Sequence, residues 1–141
     1  MKLQLFSDAQ YRYRRAKKCY VRYNARYGQI HVSAGVLDLF SIPYETTVYA
    51  QFAQDKDTDE WYLNLTQVKQ TESFKLRKNS GKNYSPTQCN SLMCECRPFT
   101  RELAASLGAE AMKCPVSSTP AFVNGEKWYR IITTINLLSN D

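Results

Sequence analysis

The sequence predicts a single α+β domain that is mostly β, built of twisted antiparallel hairpins with two short helices. Several segments alternate apolar and polar residues with a period of two, and turn residues separate these segments in pairs. Only two stretches place apolar residues at helical spacing. With 141 residues the chain has ordinary single-domain size and buries a core without disulfide staples.

Residues 1–18 read as a basic, aromatic arm and 19–141 as the domain. In CYVRY, residues 19–23, Cys19, Val21 and Tyr23 share one face and Tyr20 and Arg22 the other. Gln29 to Ser33 repeats the alternation through Ile30 and Val32, and Asn24 and Gly28 between the two runs supply the turn of a first hairpin. Ser33 stands where a helix N-cap belongs, before AGVLDLF, and Ile42-Pro43 stops that helix after about two turns. Thr47 to Gln54 alternates again, DKDTDE makes an acidic turn, and WYLNL answers it as the second hairpin.

In Ser73 to Lys78, Phe74 and Leu76 lie on one side and Lys75 and Arg77 on the other, as on an edge strand with a basic outer face. Residues 78–83 and the join from Pro115 to Pro120 read as loops. Leu92 to Phe99 reads as a further strand, Thr100 as the cap of helix RELAASL and Gly108 as its C′ residue. Asn124-Gly125 signals a type I′ turn, with Trp128 to Ile135 as the returning strand.

Charge points to a partner class. The formal net charge is +6, and residues 1–30 carry eight basic groups against one acid, Asp8. Within residues 11–27, YRYRRAKKCYVRYNARY, seven Lys or Arg and five Tyr occur with no acid. Guanidinium forks pair with phosphates, and phenol rings stack on bases at roughly 1 to 3 kcal/mol per base. The expected nucleic-acid-binding residues are Tyr11, Arg12, Tyr13, Arg14, Arg15, Lys17, Lys18, Tyr20, Arg22, Arg26 and Tyr27. Lys75, Arg77 and Lys78 join them if their strand lies beside the first hairpin. The plainer alternative is that Tyr20 and Tyr23 pack within the fold and the cations are merely solvated.

Other chemistries are poorly supplied. Cys89, Cys94, Cys96 and Cys114 give the spacing C-x4-C-x-C-x17-C, which lacks the paired C-x2-C knuckles of common zinc sites. Buried thiols behaving as small hydrophobes are the simpler reading for them and for Cys19. No metal or cofactor is expected, although zinc on those four stays open. The single histidine, His31, alternates with Ile30 and Val32 as an exposed or hydrogen-bonded strand residue rather than a catalytic base. Asp55, Asp57, Asp59 and Glu60 lack the Gly and terminal Glu of a calcium hand. There is no phosphate-cradling Gly loop and no nucleophile elbow, so no enzymatic activity is expected. No run approaches the roughly 20 apolar residues of a spanning helix. The start at Met1 has no apolar signal region, and five Cys cannot all pair within one chain, so a reducing cytoplasm is expected.

About residues 19–54 the chain resembles the AbrB/MazE type of swapped-hairpin DNA-binding domain. The matching residues are Ile30, Val32, Val36, Leu37, Leu39, Phe40, Ile42, Val48, Ala50 and Phe52. That resemblance implies a dimeric regulator of transcription on duplex DNA. The whole chain is also similar to small uncharacterised basic proteins of gut bacteria and their tailed phages, through Ile30 to Ile42, Asp55 to Leu63, Phe74 to Lys78, Ser106 to Gly108 and Gly125 to Thr133. Together these readings give a cytoplasmic DNA-binding protein, either a duplex regulator or a single-strand binder, with no membrane partner and a homo-oligomeric state, a dimer among the options. The rival is a phage structural or assembly protein whose basic arm docks on an acidic partner.

Overall fold

The computed structural model of the chain describes residues 1–3, 18–78 and 91–133. Among the described residues nine strands and two helices follow one another: β1 Tyr20–Asn24, β2 Gln29–Val32, α1 Ala34–Leu39, β3 Tyr49–Gln54, β4 Trp61–Thr66, β5 Phe74–Lys75, β6 Arg77–Lys78, β7 Leu92–Glu95, α2 Arg97–Leu107, β8 Ala111–Val123 and β9 Glu126–Ile131. All strand pairs are antiparallel, in the order β5-β3-β4-β9-β8-β1-β2-β7-β6. The fold is α+β and mostly β, as the alternation predicts. Among the described residues no helix is long and apolar enough to cross a membrane.

The two ends of that order are neighbours in the chain. Only Leu76 separates β5 from β6, and its N–H donates to the Val48 carbonyl at 2.9 Å. One extended segment therefore pairs with β3 at its start and with β7 at its end, and it nearly closes the sheet. On the opposite side the closure is made by β8, whose first residues pair with β1 and whose later ones pair with β9. A register shift between Val116 and Pro120 bends β8 at this corner, as expected where one strand serves two sheet faces.

The stretch from Pro115 to Pro120 is thus strand, not loop. Proline lacks a ladder donor, but here Pro115 contributes its carbonyl, accepting from Ile132 N–H at 2.8 Å, and Pro120 lies where the register shifts. Leu92 to Phe99 is strand only as far as Glu95, because Pro98 sits in the first turn of α2. Cys96, rather than Thr100, occupies the N-cap position of α2. Thr100 is fully buried inside the helix, its hydroxyl donating to the Arg97 carbonyl at 3.1 Å. Gly108 ends the helix in the left-handed region at φ 67°, as expected.

Ser33 does hold the N-cap position of α1, but its side chain makes no cap. The hydroxyl instead accepts from Tyr20 N–H at 3.0 Å and donates to the Lys18 carbonyl at 2.7 Å, tying the start of β1 to the end of β2. Both central residues of the β8–β9 turn have positive φ, Asn124 at 53° and Gly125 at 81°, which is the geometry of a type I′ turn. The returning strand ends at Ile131, and residues 134–135 of the expected run lie outside the described residues, as do 79–83 of the first expected loop.

The alternation of each strand fills the interior. Val21, Tyr23, Ile30, Val32, Ala50, Leu63, Leu65, Cys114, Tyr129 and Ile131 are all buried in one cluster. α1 adds Val36 and Leu37, and the Phe40 ring meets Tyr129 edge-on at 4.9 Å. α2 adds Phe99, stacked on Phe52 at 4.5 Å and edge-on to Trp61 at 5.4 Å. Phe52 belongs to the part of β3 beyond its short pairing with β5, so the helix fills the gap that the closing segment leaves.

Candidate nucleic-acid interface

Because Val21, Tyr23, Ile30 and Val32 point inward, their neighbours in β1 and β2 point outward. Register then lines these residues up across strands. Lys113 of β8 pairs with Arg22, Arg22 with His31, His31 with Met93 of β7, and Met93 with Arg77 of β6. One transverse row of the outer face therefore reads Lys113, Arg22, His31, Met93, Arg77. At about 4.8 Å per strand, the row spans roughly 19 Å.

Two further rows flank it, each about 6.7 Å away along the strands. On one side Tyr20 pairs with Pro115, and on the other Ala111, Asn24, Gln29 and Glu95 are successive register partners. The face thus carries an aromatic row, a cationic row and an amide row. Lys113 Nζ stands 4.2 Å over the Tyr20 ring. An open depression of about 410 Å³ is lined by Arg22, Asn24, Gln29, His31 and Lys113 among others. A second, of about 300 Å³, is lined by Lys18, Cys19, Tyr20, Lys113 and Pro115. Lys113 is the wall they share.

Lys18, Tyr20, Arg22 and Arg77 of the expected residues meet on this face. Lys75 stands one pleat from Arg77 on the same exposed side, with buried Leu76 between them. The basic closing segment therefore extends the hairpin surface, reaching it through β7. Lys78 faces elsewhere, its ammonium 5.3 Å over the Tyr44 ring. Arg26 and Tyr27 lie in the β1–β2 turn, the guanidinium 5.5 Å over a ring that is 52% exposed. Tyr23 belongs to the core, its hydroxyl donating to the Ala109 carbonyl at 2.8 Å. Tyr11, Arg12, Tyr13, Arg14, Arg15 and Lys17 lie outside the described residues.

Sequence reasoning missed Lys113 because it took the following prolines as a loop. The signal was there: Met112, Cys114 and Val116 alternate with Lys113 and Pro115, the pattern of a half-buried strand. It also placed His31 outside the site. His31 is a half-buried strand residue of β2, and its buried Nδ1 has no hydrogen-bond partner. Burial, then the Arg22 guanidinium, hold its imidazole below the ordinary range. The row therefore combines permanent cations with a neutral ring. One acid enters the face: Glu95 pairs with Arg77 at 3.6 Å, both side chains about 60% exposed, an ion pair worth little in water.

The cysteines behave differently. Cys94, Cys96 and Cys114 are buried free thiols. Burial pushes Cys94 up to about 12 and Cys114 up to about 11, and raises Cys96, which opposes the thiolate that a zinc site needs. Cys89 lies outside the described residues. Among the described residues no three His, Cys, Asp or Glu side chains cluster as metal ligands. Compared with protein families, characterised proteins and solved structures, the chain matches none.

Proposed function

We propose that the protein is a DNA-binding protein of the cytoplasm that holds a single strand across the outer face of β8, β1, β2, β7 and β6, binding it without catalysing a reaction on it. The observation that carries this reading is the register row of Lys113, Arg22, His31 and Arg77, with Lys18 and Lys75 at its margins. Cations spaced across adjacent strands follow a polyanion's backbone, and the Tyr20 ring one row away offers a surface on which a base stacks. The cations lie across a sheet face five strands wide rather than on a projecting helix or a two-stranded ribbon. That favours a splayed single strand, whose bases reach the ring, over a duplex whose major groove takes a helix or ribbon. Arg12, Arg14, Arg15 and Lys17, which precede Lys18 in sequence, add to the basic charge that a polyanion would meet.

The test is the affinity of the intact chain for matched single- and double-stranded DNA across a salt series. Tighter binding to the single strand, weakening steeply with salt, is the expected result. Preference for the duplex with strong sequence dependence would favour a dimeric regulator of the AbrB/MazE kind. No binding to either at low salt would remove the reading altogether.

A further inference from the structure

The two depressions on the outer face differ in chemistry, and the difference bears on which base the protein selects. The smaller one presents a ring and cations, Tyr20 with Lys18 and Lys113. Stacking on a phenol ring is indifferent to base identity. The larger one adds two carboxamides, Asn24 and Gln29, which face each other as register partners across β1 and β2.

These amides are not equivalent. Asn24 Oδ1 already accepts the Arg26 N–H at 3.0 Å, closing the hairpin turn, so this side chain is held by the turn. Gln29 is half-buried on the outer face, its neighbours Gly28 and Ile30 being buried, and its amide makes no side-chain hydrogen bond with a described residue. It brings one donor group and one acceptor to the depression. Adenine carries the complement, an N6 amino donor beside an N7 acceptor, and a Gln or Asn amide pairs with both at once. Guanine presents two acceptors on that edge, which a single carboxamide cannot match on both sides.

We infer that the face holds two adjacent nucleotides, one base stacked without selectivity on Tyr20 and its neighbour an adenine read through N6 and N7 by Gln29. Lys113, the wall between the depressions, takes the phosphate that joins them. In the free protein this ammonium lies over the Tyr20 ring, and the incoming phosphate draws it off and uncovers the ring for the first base. This rests on the proposed nucleic-acid reading and adds a base preference to it.

The experiment compares two labelled single-stranded oligonucleotides of equal length, one of adenine and one in which 7-deazaadenine replaces it, titrated with the intact chain and with Gln29→Met. The deaza base keeps its N6 amino group and its stacking surface but lacks the N7 acceptor. The wild-type chain is expected to bind the adenine strand about tenfold more tightly, the size of one good base interaction. Gln29→Met should bind both strands equally, at the affinity the wild-type chain has for the deaza strand. Equal wild-type affinities would overturn the inference while leaving nucleic-acid binding intact, and so would a preference that persists in Gln29→Met. The wild-type comparison needs no variant to fold. If neither strand binds at all, the underlying reading fails with it.

Discussion

At Gly28 the backbone adopts φ 65°, and a Cβ there would overlap the Cγ of Arg97, while the Gly28 carbonyl accepts the Cys96 N–H at 2.8 Å. The hairpin turn that displays Arg22 and Gln29 is therefore seated on the start of α2 through a residue with no side chain. Gly28→Ala combines a left-handed backbone with a steric conflict. It should cost about 1 to 3 kcal/mol, seen as a lower urea midpoint with an unchanged slope. His31 supplies a second residue-scale prediction. Its folded pKa lies below the ordinary 6.5 because of burial and Arg22. Between those two values the unfolded chain takes up the proton more readily, so stability is complete above 6.5 and declines as pH falls through the window below it. Thermal unfolding should thus show a falling midpoint from about pH 7 to pH 5, and His31→Gln should make that fall shallower. Equal slopes would mean that His31 titrates alike in both states.

Among the elements, the first two hairpins and the Asn-Gly turn were legible in the sequence because alternation and turn residues agree there with the local backbone. The exceptions share a cause. At β8, Pro115 and Pro120 are strand breakers by local chemistry, yet the strand survives because it turns a corner, with a register shift before Pro120 and backbone bonds taken up by Cys19 and Ile132. At Phe99 the sequence continued a strand, whereas tertiary packing draws the residue into α2 so that its ring reaches Phe52 and Trp61. Only the assembled sheet has the gap that this ring fills, so no local window reveals it. Phe99→Ala should destabilise the fold by about 3 kcal/mol, measured as ΔΔG of denaturant unfolding. A loss below about 1 kcal/mol would show that α2 adds little to closing the sheet. For the candidate site, the contribution of the hairpin could be read from alternation, but Lys113 could not be placed while β8 was taken as a loop.

For the whole molecule, closure of the sheet sets which cations share a surface. Arg22 and Arg77 are distant in sequence, and they come into one row because β7 lies between the first hairpin and the closing segment. Charge asymmetry in the sequence suggested a polyanion, but only the strand order shows that cations from three separate stretches of chain face the same way. The outer row and the inner core are two faces of the same strands, so exchanging an outward cation for a neutral polar residue should alter binding without altering the fold. Arg22 and Lys113 are the adjacent cations of the proposed interface, paired across β1 and β8. The most direct measurement is the salt dependence of single-stranded DNA affinity for the wild-type chain and for the Arg22→Gln/Lys113→Gln variant. The slope of log affinity against log salt should flatten by about 1.4, roughly 0.7 for each phosphate that the variant no longer neutralises. An unchanged slope in a variant that unfolds at the wild-type midpoint would show that the nucleic acid, if bound at all, does not lie across this face.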